Sequence, residues 1–139
     1  MANPFVPVPT PETQPFWDGI ADRTVRLTKC VDCGEVFFPP STVCPNCTSK
    51  QIEWFDSSGR GTLYSYVIQQ KPLEWWGEGP RSVAIVELDE GPRLISSIVG
   101  CPQTPEALQL DMALQATFVD FDGFTVLCFE PEGSIHETR

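Results

Sequence analysis

Four cysteines in two pairs, Cys30-Val31-Asp32-Cys33 and Cys44-Pro45-Asn46-Cys47, have the spacing best suited to chemistry. A two-residue gap lets one tight turn present both sulfurs of a pair to a single ion, and tetrahedral zinc accepts four thiolates readily. Gly34 follows the first pair, where a chain curling around a metal favours positive φ. Pro45-Asn46 inside the second pair pre-sets a turn. A disulfide framework is the alternative, but the spacing fits a metal site better. Zinc would only hold the fold, whereas iron would make the chain an electron carrier, and spacing does not separate them. All four positions are filled and none is left open for substrate, which favours structural zinc.

Other candidates for catalysis are poor. The one histidine, His136, sits in a polar tail and reads as solvated. Cys128 lies in an apolar strand and reads as a buried, inert thiol. Cys101 opens a loop after Gly100 with nothing nearby to lower its pKa. Glu87, Asp89 and Glu90 read as solvated turn residues, since acid–base work would need burial to separate their pKa values. Gly59-Arg60-Gly61 lacks the lysine and spacing of a phosphate loop. What remains is a binding surface. Trp75 and Trp76 occupy a loop rich in Gly and Pro, and in an extended segment they cannot both face inward. One reading makes a projecting tryptophan an anchor for ligand or partner, and the other folds it over a barrel mouth as a lid.

These residues need a scaffold, and the bulk numbers bound it. At 139 residues the chain is one ordinary domain, or a small one with an appendage. A hydrophobic share of 41% is enough for a core. No apolar run approaches the roughly 20 residues of a membrane helix. The N-terminus lacks the basic region and apolar core of a signal peptide, so six cysteines point to a reducing cytoplasm. A net charge of −10 repels a phosphate backbone, and the nine Lys and Arg form no stripe. That argues against a nucleic-acid-binding role, the main alternative for small β-barrels of this kind.

In chain order, residues 1–24 read as a proline-rich arm and a short helix. Thr13 is the expected N-cap, and Phe16, Trp17 and Ile20 give one apolar side. Residues 25–56 read as strand, knuckle, strand, knuckle, strand, which is the plan of a zinc ribbon. About 30 residues have too little core to fold by burial alone, so metal would supply the missing stability. Residues 57–139 alternate as five strands at 62–70, 82–88, 93–99, 112–120 and 124–129, followed by a tail. A helix is expected within 102–110, where Pro105 precedes good helix formers. Asp122-Gly123 is a favoured hairpin turn. The fold class is therefore mainly β: a short N-terminal helix, a zinc ribbon, and a five-stranded OB-fold barrel whose open end that second helix plugs.

Pro15-Phe16-Trp17, Cys30-Val31-Asp32-Cys33-Gly34, Phe38-Pro39-Pro40, Cys44-Pro45-Asn46-Cys47, Ser58-Gly59-Arg60-Gly61-Thr62 and Val86-Glu87-Leu88-Asp89-Glu90-Gly91 together resemble the DUF35 proteins. The resemblance covers about residues 12–131. It implies a rubredoxin-like zinc ribbon joined to an OB-fold, with Cys30, Cys33, Cys44 and Cys47 as the metal ligands. It also implies an accessory subunit of a thiolase-like enzyme acting on acyl-CoA, with thiolases, aldolases, acyltransferases or hydratases as partners. Catalytic residues would lie mostly on the large subunit. The assembly implied is an α2β2 heterotetramer, and the small subunit would help hold the CoA. Arg60, Lys71 and Arg81 are candidates for the CoA phosphates on charge alone, with Trp75 and Trp76 as further contacts.

Overall fold

The computed structural model describes residues 7–72, 74–77, 79–121 and 123–132. The beginning of the proline-rich arm, Asp122 and His136 lie outside the described residues, as does the side chain of Trp75.

Helix α1 (Gln14–Ala21) buries Phe16, Gly19 and Ile20. Thr13 holds the N-cap position, but its hydroxyl does not cap the helix. It accepts instead from the Thr10 amide at 2.9 Å, so the capping expectation is corrected. Pro15 in the first turn offers no amide that needs a partner. Gly19 has a packing role. A Cβ there would stand 2.9 Å from both Arg26 Cγ and the Thr24 carbonyl. The helix presses so closely on the next strand that no side chain fits between them.

Three strands make the ribbon: β1 (Arg26–Cys30), β2 (Val36–Phe37) and β3 (Ile52–Asp56). They pair antiparallel in the order β2-β1-β3, which places Lys29 opposite Val36 and Cys30 opposite Ile52. Five more form the second sheet: β4 (Arg60–Gln69), β5 (Arg81–Leu88), β6 (Arg93–Ser96), β7 (Ala113–Phe121) and β8 (Phe124–Pro131). Their order is β6-β5-β4-β7-β8, all antiparallel. A parallel bridge between Ile98 and Phe129 joins the two edges and closes the barrel. A closed barrel leaves no long edge open to stray pairing. This is the mainly β OB-fold arrangement expected from the alternating strands.

Strict alternation on β5 shows how the sequence writes the barrel wall. Ser82, Ala84, Val86 and Leu88 are buried, while the residues between them are half-buried. Leu63, Val86, Leu114 and Phe129 meet inside with essentially no exposure. Val25 and Leu27 from the ribbon join the same core.

The expected helix at 102–110 is absent. Thr104 accepts from the amides of Ala107 and Leu108, giving a single turn. The chain is then captured by β4, since Asp111 N donates to the Leu63 carbonyl and Leu63 N to that of Met112. Too few residues remain to extend a helix past its first turn. Leu108 still plugs the barrel, at 1% exposure.

Candidate metal centre and binding surfaces

The two cysteine pairs sit on two copies of one turn. Cys30 O accepts from Gly34 N at 2.9 Å and Cys30 N donates to Glu35 O at 2.9 Å. In the second copy Cys44 O accepts from Thr48 N at 2.9 Å and Cys44 N donates to Ser49 O at 2.8 Å. Gly34 and Thr48 both have positive φ, at 82° and 65°. The backbone also aims amides at sulfur: Cys33 N lies 3.4 Å from Cys30 Sγ, and Asn46 N lies 3.3 Å from Cys44 Sγ.

All four sulfurs lie within 4.8 Å of one another. Cys30 and Cys47 are 3.5 Å apart, and Cys33 and Cys44 are 3.6 Å apart. A tetrahedron with bonds of about 2.3 Å has edges of about 3.8 Å, so the set fits one ion. A disulfide needs about 2.05 Å, and none of the six cysteines is bonded to another. The donor set therefore fits a structural metal, with two ligands buried and two exposed. The two exposed cysteines shift in opposite directions. The Asn46 amide, helped by the backbone of Glu35, lowers Cys33 to about 6. The Ser49 amide favours the Cys47 thiolate too, but Cys30 and burial outweigh it and push Cys47 up to about 12. A divalent cation lets all four ionise together.

The other sequence candidates separate into two places. Trp76 ends a short 3₁₀ turn, Glu74–Trp76, and is half-buried. It packs on Phe121 with ring centroids 5.6 Å apart, and the Arg81 guanidinium lies 4.6 Å from its ring centre. Arg81 Nε also donates to Ser97 Oγ at 2.9 Å, and burial lowers its pKa. So Trp76 folds back onto the barrel. Lys71 is exposed just beyond the end of β4. Arg60 begins that strand and pairs with Glu132 at 3.2 Å. Nine residue steps along the strand separate Arg60 from Gln69, the partner of Arg81. That is on the order of 25–30 Å, so one phosphate cannot meet both arginines. Cys128 is buried and pushed up to about 12 by desolvation, which fits its reading as inert. Burial also raises Cys101.

Glu90 is a structural residue that the sequence reading took for a solvated turn acid. Its carboxylate accepts from Ser57 Oγ and Ser58 N, both at 2.8 Å, and so ties the ribbon–barrel link to the β5–β6 turn. Burial pushes its pKa up, but the Ser58 amide and Ser57 hydroxyl prevail and hold it below the usual carboxylate range. Nothing in the sequence marks this pairing, since its partners lie more than thirty residues away.

The largely apolar groove beside α1 holds about 340 Å³ and is walled by Phe16, Trp17, Phe38, Ile95 and Phe124 among others. Among the described residues no helix is long and apolar enough to cross a membrane.

Comparison with known proteins places this architecture. The family description "ChsH2, rubredoxin-like zinc ribbon domain" matches residues 17–53. "ChsH2, C-terminal OB-fold domain" matches residues 54–119. A "DUF35 domain-containing scaffold protein" of Methanothermobacter thermautotrophicus is 36% identical over 110 residues, 77% of this chain and 81% of that one. A Mycobacterium tuberculosis protein described as "3-oxo-4,17-pregnadiene-20-carboxyl-CoA hydratase alpha subunit" is 31% identical over 87% of this chain. The match spans 38% of that longer protein. Among solved structures, a chain of "Ltp2-ChsH2(DUF35) aldolase" superposes with a TM-score of 0.80 at 28% identity. That superposition covers 91% of this chain and 98% of the other.

Proposed function

This chain belongs to the DUF35 family, and from that membership we propose that it is the non-catalytic, zinc-binding subunit of a heteromeric thiolase-like enzyme acting on acyl-CoA. The reaction is formation or cleavage of a carbon–carbon bond, thiolytic or retro-aldol, with the catalytic residues mostly on the large subunit. The carrying observation is the superposition, over nine tenths of its length, on a chain of an aldolase described with a DUF35 component. Kinship with a chain named as a hydratase alpha subunit supports the same class of acyl-CoA system.

In this reading zinc sits on Cys30, Cys33, Cys44 and Cys47 and supplies fold stability alone, because a site with four protein ligands has no open position. The small subunit stabilises its partner in an α2β2 assembly in the cytoplasm and helps hold the CoA. Arg60, Lys71, Trp75, Trp76 and Arg81 are the candidates for CoA or partner contact. Arg81 and Trp76 act together at one end of the barrel, and Arg60 serves a separate contact at the other.

The test is co-purification of the tagged chain from its native source, with mass spectrometry of what comes with it. A thiolase-like chain in equal amount, in a complex of two copies each, is expected. Recovery of the small chain alone as a stable monomer overturns the reading.

A further inference from the structure

We propose that the groove between α1 and the barrel is the seat of a partner protein that brings an apolar anchor flanked by lysine or arginine. The inference rests on the subunit reading above and assigns it a surface.

The groove lies at the weakest seam of the barrel. Among the described residues the two edges meet through the bridge between Ile98 and Phe129 and a bond from Ser96 Oγ to the Leu127 carbonyl at 2.9 Å, with no ladder between β6 and β8. Toward Ile95 and Thr125 the groove opens between the strands and α1. Apolar side chains remain in solvent there. Trp17 is half-buried, and Ile95 is 75% exposed between the buried Leu94 and Ser96. The surface continues across the sheet, because Ile95 is registered with Ile85 and Val67 with Val83. Val67 is 64% exposed. A run of this kind on the outer face of a strand pair marks an interaction site rather than a core.

Charge selects the occupant. Residues 8–22, the segment that supplies Phe16, Trp17 and Ile20 to the wall, contain Glu12, Asp18 and Asp22 and no Lys or Arg. Asp120 accepts from Thr125 at the groove's other side. Bases around it are already engaged: Arg23 with Asp120 at 2.6 Å, Arg93 with Glu87 at 2.8 Å and Arg26 with Asp56 at 3.4 Å. A second copy of this chain would bring the same acids to the contact, on top of a net charge of −10 each. The phosphates of CoA and an anionic membrane are repelled for the same reason. A protein with basic groups around an apolar anchor is attracted.

The test uses the large subunit that co-purifies with the chain, produced recombinantly, with affinity measured by calorimetry at low and high salt. Ile95→Lys and Asp18→Lys each place a like charge against the expected partner on exposed positions, and a thermal melt of each confirms folding. Each is expected to weaken binding at least tenfold, and high salt to weaken wild-type binding. Leu110→Lys, at a leucine that is 61% exposed and does not line the groove, should bind as wild type. Wild-type affinity in both groove variants overturns the docking site while leaving the subunit reading intact. If no large subunit is found at all, both fall.

Discussion

Gly34 and Thr48 occupy the same place in two copies of one turn, each one residue past the second cysteine of its pair, with φ of 82° and 65°. Only one of them is a glycine. Threonine is branched at Cβ and pays a steric penalty in the left-handed region. Thr48→Gly is therefore expected to stabilise the chain by about 1 kcal/mol, and Gly34→Ala to destabilise it by about 1–2 kcal/mol. A Cβ at Gly34 meets nothing within 4 Å, so the second effect is purely conformational. Urea midpoints of the two variants check both signs.

Metal removal should unfold more than the ribbon. The purified chain is expected to be colourless, with one zinc per chain by elemental analysis; strong visible absorption would point to iron. Chelation, or Cys47→Ser, should lower the melting temperature of the barrel signal as well, in one cooperative step. A barrel transition unmoved by chelation would show the two parts to be independent.

Glu90 gives the chain an acid-sensitive joint. Its folded pKa is held below that of an unfolded glutamate, about 4.3. The stability it contributes is fully present above that value and is lost as pH falls through the lower, folded value. Glu90→Gln should flatten the loss of stability below about pH 4.3 and lower stability at neutral pH by about 1 kcal/mol, a figure discounted because the group is only half-buried. Denaturant midpoints from pH 7 to pH 3 test both.

Gly61 is required by a close approach rather than by its dihedrals. A Cβ there would fall 2.5 Å from the Glu87 carbonyl oxygen across the β4–β5 pair. Backbone cannot yield as a flexible side chain does, so Gly61→Ala is expected to destabilise by about 2–3 kcal/mol, read by thermal melt.

Local chemistry made most of the architecture legible. The cysteine spacing, Gly34 and the alternation on β5 each need only neighbours within a few residues, and each appears as the sequence suggests. The misses share a different cause. Pro105 to Leu108 look helical until Leu63, far earlier in the chain, claims Asp111 and Met112. Thr13 looks like a cap until Thr10 takes its hydroxyl. Glu90 looks solvated until the fold brings Ser57 and Ser58 to it. Trp76 is aimed by Phe121, which no count of neighbouring residues would supply.

Val25 and Leu27 run from the ribbon's end of the chain into the barrel's core. The chain thus has no fracture plane where it could be cut for use as separate modules. A barrel expressed from residue 57 onward would carry a hole where two aliphatic side chains belong. An ion on the four cysteines would order the ribbon, and these two residues are the packing through which that order would reach the barrel. Barrel yield on expression is therefore expected to rise with the metal supplied, as the chelation experiment above would show.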